Sequence, residues 1–407
     1  MKLPRRCLPA AALLLALPLL ANGPTAVAGP GAEDPSPTGR PAPLRPTAGE
    51  RVPDHYIVTL RTGFSPRTLT RRLGVTPDYI YTHALTGFAA TLNAEQLEAV
   101  RSAPDVAAVE QDAVLAQAGS PAGPGVRPRV ATDAYGLDRI DQRTLPLNSQ
   151  FNTSTTGSGA TVYVMDTGID YSHPDFEGRA RNGTDLVTPG GNGADCPMGS
   201  GHGTHVAGTV GGATYGVARR ASLVSVRVLD CMGRTTTAKF IAGFDYVARS
   251  ATAGSVLNAS ISGPFSQAVN TAVGNVAARG VPPVVAAGND NENACDHSPA
   301  GALAALAVGA TNQVDQMTDF TNYGPCARIL APGADIVSDR MGGGTTTKSG
   351  TSQAAPHVAG VAALYKAQNP TASSTTVVNW LIEQSTRNVV RDIKPGTPNR
   401  LVFTGGL

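Results

Sequence analysis

Three short stretches hold side chains that could activate one another: Asp166 in VYVMDTGID, His202 in GHGTHVAGT and Ser352 in GTSQAAPHVAG. A serine hydroxyl is a poor nucleophile at neutral pH. It becomes a good one when an imidazole takes its proton, and the imidazole needs a carboxylate to fix its tautomer and stabilise its charged form. The chain order Asp…His…Ser supplies all three roles. Singly, each residue has a plainer reading. Asp166 could be a turn aspartate, or the ribose acid of a dinucleotide fold, although the GxGxxG turn that fold requires is missing upstream. His205 follows His202 by three, but the HExxH metal arrangement is absent, and His205 reads as a core hydrogen-bonding residue, as do His173 and His357. Ser352 alone would be a helix cap.

The surrounding sequence places each of the three. TVYVM before Asp166 is an apolar strand, and functional groups of open α/β sheets gather at the carboxyl ends of strands. Glycines flank His202 at the start of a small-residue helix, which allows close backbone approach. A helix runs on from Ser352 through APHVAGVAALYKAQ. Pro356 is tolerated near a helix start, where the missing amide is not needed. Ser352 therefore sits where free amides and the macrodipole favour an anion. Between these motifs short apolar strands alternate with helix patterns: SLVSVRVL, TTTAKFIAGFDYVARS, SVLNASIS, SQAVNTAVGNVAARG, PPVVAAG, LAALAVGA and RILAPG. That alternation predicts an α/β fold with a mainly parallel sheet and helices on both faces.

The chain has 407 residues, 41% hydrophobic and 15% charged, with a formal net charge of +2. Such a balance suits a globular protein with a sizeable core and argues against a nucleic-acid surface. Lys2, Arg5 and Arg6, the apolar run Leu8 to Ala21 and the Ala26-Val27-Ala28 site read as a secretory signal over residues 1–28. The run is broken by Pro9 and Pro18 and is shorter than the ~20 residues of a membrane span. With Cys7 removed in the signal, Cys196, Cys231, Cys295 and Cys326 remain. An even count in an exported chain predicts two disulfides, with three connectivities open. Sequential pairing would close loops of about 35 and about 31 residues, each stabilising by roughly 3–4 kcal/mol in the chain-entropy view. No CxxC or His-spaced pair supports zinc.

Residues 29–51 are rich in Pro, Gly, Ala and Thr without a period and read as a flexible spacer. HYIVTL then begins a β-α-β-β-α-β run over residues 52–116, a small α+β split βαβ domain. Its first helix is SPRTLTRRLG, capped by Ser65 with Pro66 following. Its second is NAEQLEAVRSAP, capped by Asn93 and stopped before Pro104. Residues 117–132 return to a Pro/Gly-rich linker, an accessible processing region. The α/β domain occupies 133–407.

Together, these motifs resemble the subtilisin-like serine proteases, especially the proteinase K type with its aqualysin-like members. The resemblance runs from GLDRIDQR near Tyr135, through SPA and NYG, to the closing PNRL. It also covers the first domain, where LTGFAATL and VEQDAVL resemble the family's inhibitory propeptide. It implies a secreted zymogen of a serine endopeptidase, a monomer without organic cofactor, whose partners are polypeptide substrates and its own propeptide. Asp166, His202 and Ser352 match the triad. Asn289 in VVAAGND matches the side chain that stabilises the oxyanion, beside the Ser352 amide. Ser260, Ile261, Ser262 and Gly263, with Ala286, Ala287 and Gly288, match the strands that line the first specificity pocket and pair with substrate backbone. The small-residue walls imply broad, apolar taste.

The chain departs from that pattern in several places. Ser262 stands where relatives have glycine, Gln353 and Ala355 replace the usual Met and Thr, and CPMGSGHGTH is longer than its counterpart. Arg328 in CARILAPG replaces an aspartate that ligates calcium in relatives, so that site is expected to be lost. Asp138, Asp141 and Gln142, with Asn148 nearby, offer the clustered oxygens a calcium ion requires. Two rival readings follow: a catalytically impaired member acting as a binding protein, and a serine esterase. The esterase lacks its GxSxG elbow and its Ser…Asp…His order here.

Overall fold

A computed structural model describes residues 40–118 and 134–407. The expected signal and most of the processing linker lie outside the described residues. The first domain comprises β1 (Leu44–Arg45), β2 (Arg51–Leu60), α1 (Pro66–Arg72), β3 (Tyr79–Tyr81), β4 (Gly87–Thr91), α2 (Ala94–Ser102) and β5 (Val106–Gln117). Both helices start as their sequences predict. The Ser65 side chain accepts from the Thr68 amide, with Pro66 following, and Asn93 and Gln96 form a reciprocal capping box.

β5 pairs antiparallel with β2, which pairs with β4, which pairs with β3. The expected spacer ends earlier than residue 51. Ala42 donates to the Arg101 carbonyl and is buried, and β1 pairs parallel to β5 at Leu44↔Val109. Residues 41–51 are thus fastened to the open edge of β5, whose backbone groups need partners.

The second domain begins with α3 (Tyr135–Ile140), β6 (Thr161–Asp166), β7 (Ala180–Asp185), α4 (His202–Gly211), β8 (Ser222–Arg227), β9 (Arg234–Thr236) and α5 (Thr237–Ser250). β10 (Ser255–Ala259), β11 (Ile261–Pro264), α6 (Gln267–Ala278), β12 (Pro283–Ala286), β13 (His297–Ser298) and β14 (Leu306–Thr311) follow. β15 (Ala327–Pro332), β16 (Ile336–Asp339), β17 (Thr345–Lys348), α7 (Thr351–Gln368), α8 (Ser374–Gln384), β18 (Thr386–Arg387) and β19 (Arg400–Leu401) complete it.

Nine strands form one sheet in the order β18-β19-β15-β14-β12-β10-β6-β8-β7, parallel except for β18. Its central strands are buried end to end, β10 and β14 at every residue. This explains why they read as continuous apolar runs rather than as alternation. Along β6, Val162 and Val164 join the core under α4 and α7, whereas Tyr163 and Met165 join the core under α5 and α6. The period of two in a strand divides one short segment between two cores. The disulfides pair sequentially, Cys196 with Cys231 and Cys295 with Cys326.

Candidate active site

Asp166 is the last residue of β6, and His202 is the first of α4, so a strand end and a helix start meet. The two residues, 36 apart in sequence, are both buried, and Asp166 Oδ1 lies 2.8 Å from His202 Nδ1. Asp166 Oδ1 also accepts the Thr167 amide at 2.7 Å. Gly203 is required by this approach: a Cβ there would collide with the Gly168 carbonyl and come within 3.1 Å of the Asp166 side chain.

α4 has no side-chain cap of its own, so its first amides need partners from elsewhere. The Gly203 amide donates to Thr167 Oγ1 at 2.9 Å, and the Thr204 amide to Asp195 Oδ2 at 3.0 Å. Asp195 also accepts the hydroxyls of Thr167 and Thr204, at 2.8 and 2.6 Å. Burial raises its pKa against these hydrogen bonds. Asp195 is therefore a buried brace between the residue after Asp166 and the helix that carries His202. Sequence reasoning passed over it. Its signal was an acidic side chain shortly before a helix whose cap position is glycine.

Ser352 is the second residue of α7, and its amide has no acceptor within the helix. Pro356 lies in the second turn rather than at the helix start, and it cannot donate to the carbonyl four residues earlier, that of Ser352. The Ser260 hydroxyl fills that vacancy at 3.0 Å. In the other direction, Ser352 Oγ donates to the Ser260 carbonyl at 3.0 Å, while His202 Nε2 is buried without a hydrogen-bond partner. Asn289 Oδ1 accepts both the amide and the hydroxyl of Thr351, at 2.9 and 2.8 Å, which fixes its amide plane beside the α7 N-terminus and leaves Nδ2 as the donor end. The side chain of Gln353 is buried with both polar atoms unpartnered.

The first domain reaches into this site. The end of β5 lies between two strands of the second domain, with Ala116 opposite both Ser262 of β11 and Arg234 of β9. Beyond it the Ala118 amide donates to the Ser260 carbonyl at 3.1 Å, and the Ala118 carbonyl accepts the Ser352 amide at 3.0 Å. An extended peptide thus completes a three-strand ladder that delivers a carbonyl to the nucleophile. Earlier in β5, Asp112 Oδ1 accepts the Ala238 amide of α5, and Glu110 accepts the Ala268 amide of α6, each at 3.0 Å. Each carboxylate caps a helix of the other domain.

The remaining histidines have structural partners. His205 Nε2 meets the Ile336 carbonyl at 3.0 Å, and burial holds its pKa well below the usual value. Burial pushes His357 down to about 4. His173 Nε2 meets the Gly344 carbonyl at 3.0 Å.

The residues named for calcium close a loop. Asp138 accepts the amides of Asn148 and Ser149, Asp141 accepts that of Asn152, and Gln142 Nε2 donates to the carbonyls of Thr144 and Pro146. One oxygen of Asp141 is left without a partner, and among the described residues no three His, Cys, Asp or Glu converge as metal ligands. The turn's own amides take three of the four carboxylate oxygens, and Gln142 faces the turn's carbonyls through its nitrogen. The Arg328 guanidinium donates to the Leu303 and Ala305 carbonyls at 3.4 and 3.2 Å.

Residues 157–402 match the subtilase family, and residues 67–117 match peptidase inhibitor I9. An extracellular serine proteinase of Thermus sp. (strain Rt41A) is 45% identical over 333 residues, covering 81% of this chain and 78% of the relative. Proteinase R of Parengyodontium album is 37% identical over 371 residues, covering 89% and 92%. A solved structure, of a cold adapted subtilisin-like serine proteinase, superposes with a TM-score of 0.64 at 44% identity, covering 66% of this chain and 97% of that one. The two domains are an inhibitor domain and a catalytic domain, and the chain belongs to the subtilase family.

Proposed function

We propose that this chain is a secreted zymogen whose catalytic domain hydrolyses peptide bonds through Asp166, His202 and Ser352, with Asn289 assisting. The observation that carries the reading is the Ala118 carbonyl on the Ser352 amide, at 3.0 Å, with the preceding residues laid between β9 and β11. A substrate bound in this way presents its scissile carbonyl to Ser352 Oγ. The hydroxyl turns from the Ser260 carbonyl toward His202 Nε2, which is free to accept its proton. The oxygen then attacks the carbonyl carbon, and the Ser352 amide and Asn289 Nδ2 hold the resulting oxyanion. His202 returns the proton to the leaving amine, so the C–N bond breaks and an acyl-enzyme remains. Water, losing a proton to His202, releases the acid and restores the serine. Asp166 stabilises the imidazolium in both halves.

The same register supports Ala118–Gly119 as the bond cut in maturation. The inhibitor domain then occupies the cleft as a bound product, which accounts for latency. The relatives' extracellular character and the basic-apolar N-terminal sequence support export. A catalytically impaired member would keep the fold without the chemistry, and the assembled Asp166–His202 pair favours the active reading. Casein hydrolysis by the wild type and its loss in Ser352→Ala, by roughly six orders of magnitude in kcat, is the expected result. N-terminal sequencing should find Gly119 first in the mature protein. Failure of phenylmethylsulfonyl fluoride to label Ser352 in the processed form would remove the proposal.

A further inference from the structure

The space beside Ala118 differs from what small-residue walls imply. β10 and β12 pair as far as Ala259↔Val285, after which β11 leaves the central sheet and pairs with β5 instead. The split opens a slot between Ile261–Gly263 and Ala286–Gly288. Ala118 is held at this slot by its amide and carbonyl, and only 5% of its surface is exposed. On β11 the Ile261 side chain is fully buried in the α5/α6 core, so Ser262 projects from the opposite face.

Its hydroxyl reaches across the slot. A Cβ placed on Gly288 would lie 3.0 Å from Ser262 Oγ, and it would also collide with Asn322 Nδ2. Ser262 Oγ and Asn322 Nδ2 are both buried and without hydrogen-bond partners, whereas Asn322 Oδ1 accepts the amides of Asp290 and Glu292. Gly288, at φ +105°, keeps the far wall bare, and Ser262 occupies from the near wall the room this leaves.

We infer that Ser262 shortens the first specificity pocket and restricts cleavage to bonds preceded by a small side chain, of alanine, glycine or serine size. Ala118 is such a residue. The inference rests on the protease reading above and narrows its substrate class from broadly apolar to small. Ser262 acts here as a specificity-determining wall and takes no part in bond breaking.

The test compares kcat/KM for tetrapeptide p-nitroanilides ending in Ala, Ser, Leu or Phe, using processed wild type, Ser262→Gly and Ser262→Ala. Wild type should prefer Ala and Ser over Leu and Phe. Ser262→Gly should raise the Phe/Ala ratio about 10-fold or more, the scale at which a pocket discriminates a methylene or two, with Ser262→Ala between them. A wild type that already favours Phe overturns the inference with no need of a variant and leaves the protease reading intact. An unchanged ratio in a Ser262→Gly enzyme that still cleaves the Ala substrate also overturns it. Absence of hydrolysis of all four, together with an unlabelled Ser352, defeats the protease reading and this inference with it.

Discussion

The inhibitor-domain sheet and the nine-stranded catalytic sheet each have two faces, but only the catalytic one covers both with its own helices. Val58, Phe88 and Val109 pack with Leu69 of α1 and Val100 of α2, forming a core that belongs to the inhibitor domain alone. Their neighbours Ile57 and Ala89 point the other way and, with Leu115 further along β5, join the cluster of Phe240, Phe244 and Val273 on α5 and α6. One face of the smaller sheet is therefore covered by helices of the catalytic domain. A small domain with one face uncovered has little stability to spare. The catalytic domain is built the other way, with α4 and α7 on one face and α5 and α6 on the other. On the proposed maturation, this asymmetry lets one partner be discarded after cleavage while the other persists.

The comparison can be sharpened first where the two regions meet at the nucleophile. Asn289→Leu keeps the side chain's bulk but removes the amide beside the Ser352 N-terminus. It should lower kcat by about 10²–10³ with little change in KM, measured on a peptide substrate with the mature enzyme. Slow processing at Ala118–Gly119 should accompany it, visible as accumulated full-length chain. A loss confined to KM would mean that Asn289 only positions substrate.

The caps come next. Asp112→Ala in the uncleavable Ser352→Ala chain leaves the α5 amide without its acceptor and should cost about 0.5–2 kcal/mol. Thermal unfolding would read this as a lower midpoint for the inhibitor domain. Mature enzyme derived from an Asp112→Ala zymogen should unfold as wild type does. An equal loss in the mature form would break the proposed asymmetry.

The smallest expected effect is a pH dependence confined to the inhibitor domain. His55 on β2 lies 2.8 Å from Asp112 through Nδ1 and 3.0 Å from Asp78 through Nε2, so both contacts are satisfied only by the doubly protonated ring. Burial opposes the charged form, but the hydrogen bonds and charges of Asp112 and Asp78 outweigh it and raise the pKa. A raised folded pKa means that the stabilisation is fully present below the unfolded value of about 6.5. It is lost as pH rises through the folded value. The inhibitor domain should thus loosen on the alkaline side, by a shift of the unfolding midpoint in the Ser352→Ala chain that His55→Gln abolishes. A His55→Gln chain with the same pH profile as its parent would count against this.

The two capped helices of the inhibitor domain were legible because Ser65-Pro66 and Asn93…Gln96 act over a few residues. The parallel sheet was legible from uniformly apolar strands separated by helix patterns. The spacer was read too long because the pairing of Leu44 with Val109 is non-local and leaves no period in so short a segment. Asp138, Asp141 and Gln142 are the right residue types for a cation, and only the tertiary structure shows that the two carboxylates accept amides of the turn while Gln142 donates to its carbonyls.

By itself, the sequence determined the chemistry available to this protein. Asp166 at a strand end, His202 at a glycine-flanked helix start and Ser352 at a helix N-terminus are each defined by local signals. The tertiary structure decided how that chemistry is set. It paired the cysteines, braced α4 through Asp195 and turned the Ser352 hydroxyl onto Ser260. It also brought Ala118 to the Ser352 amide and Ser262 across to Gly288. Each of these contacts joins segments far apart in the chain, and their partners are fixed by packing and by the need to satisfy buried polar groups. Local sequence carries no record of which distant group will do so.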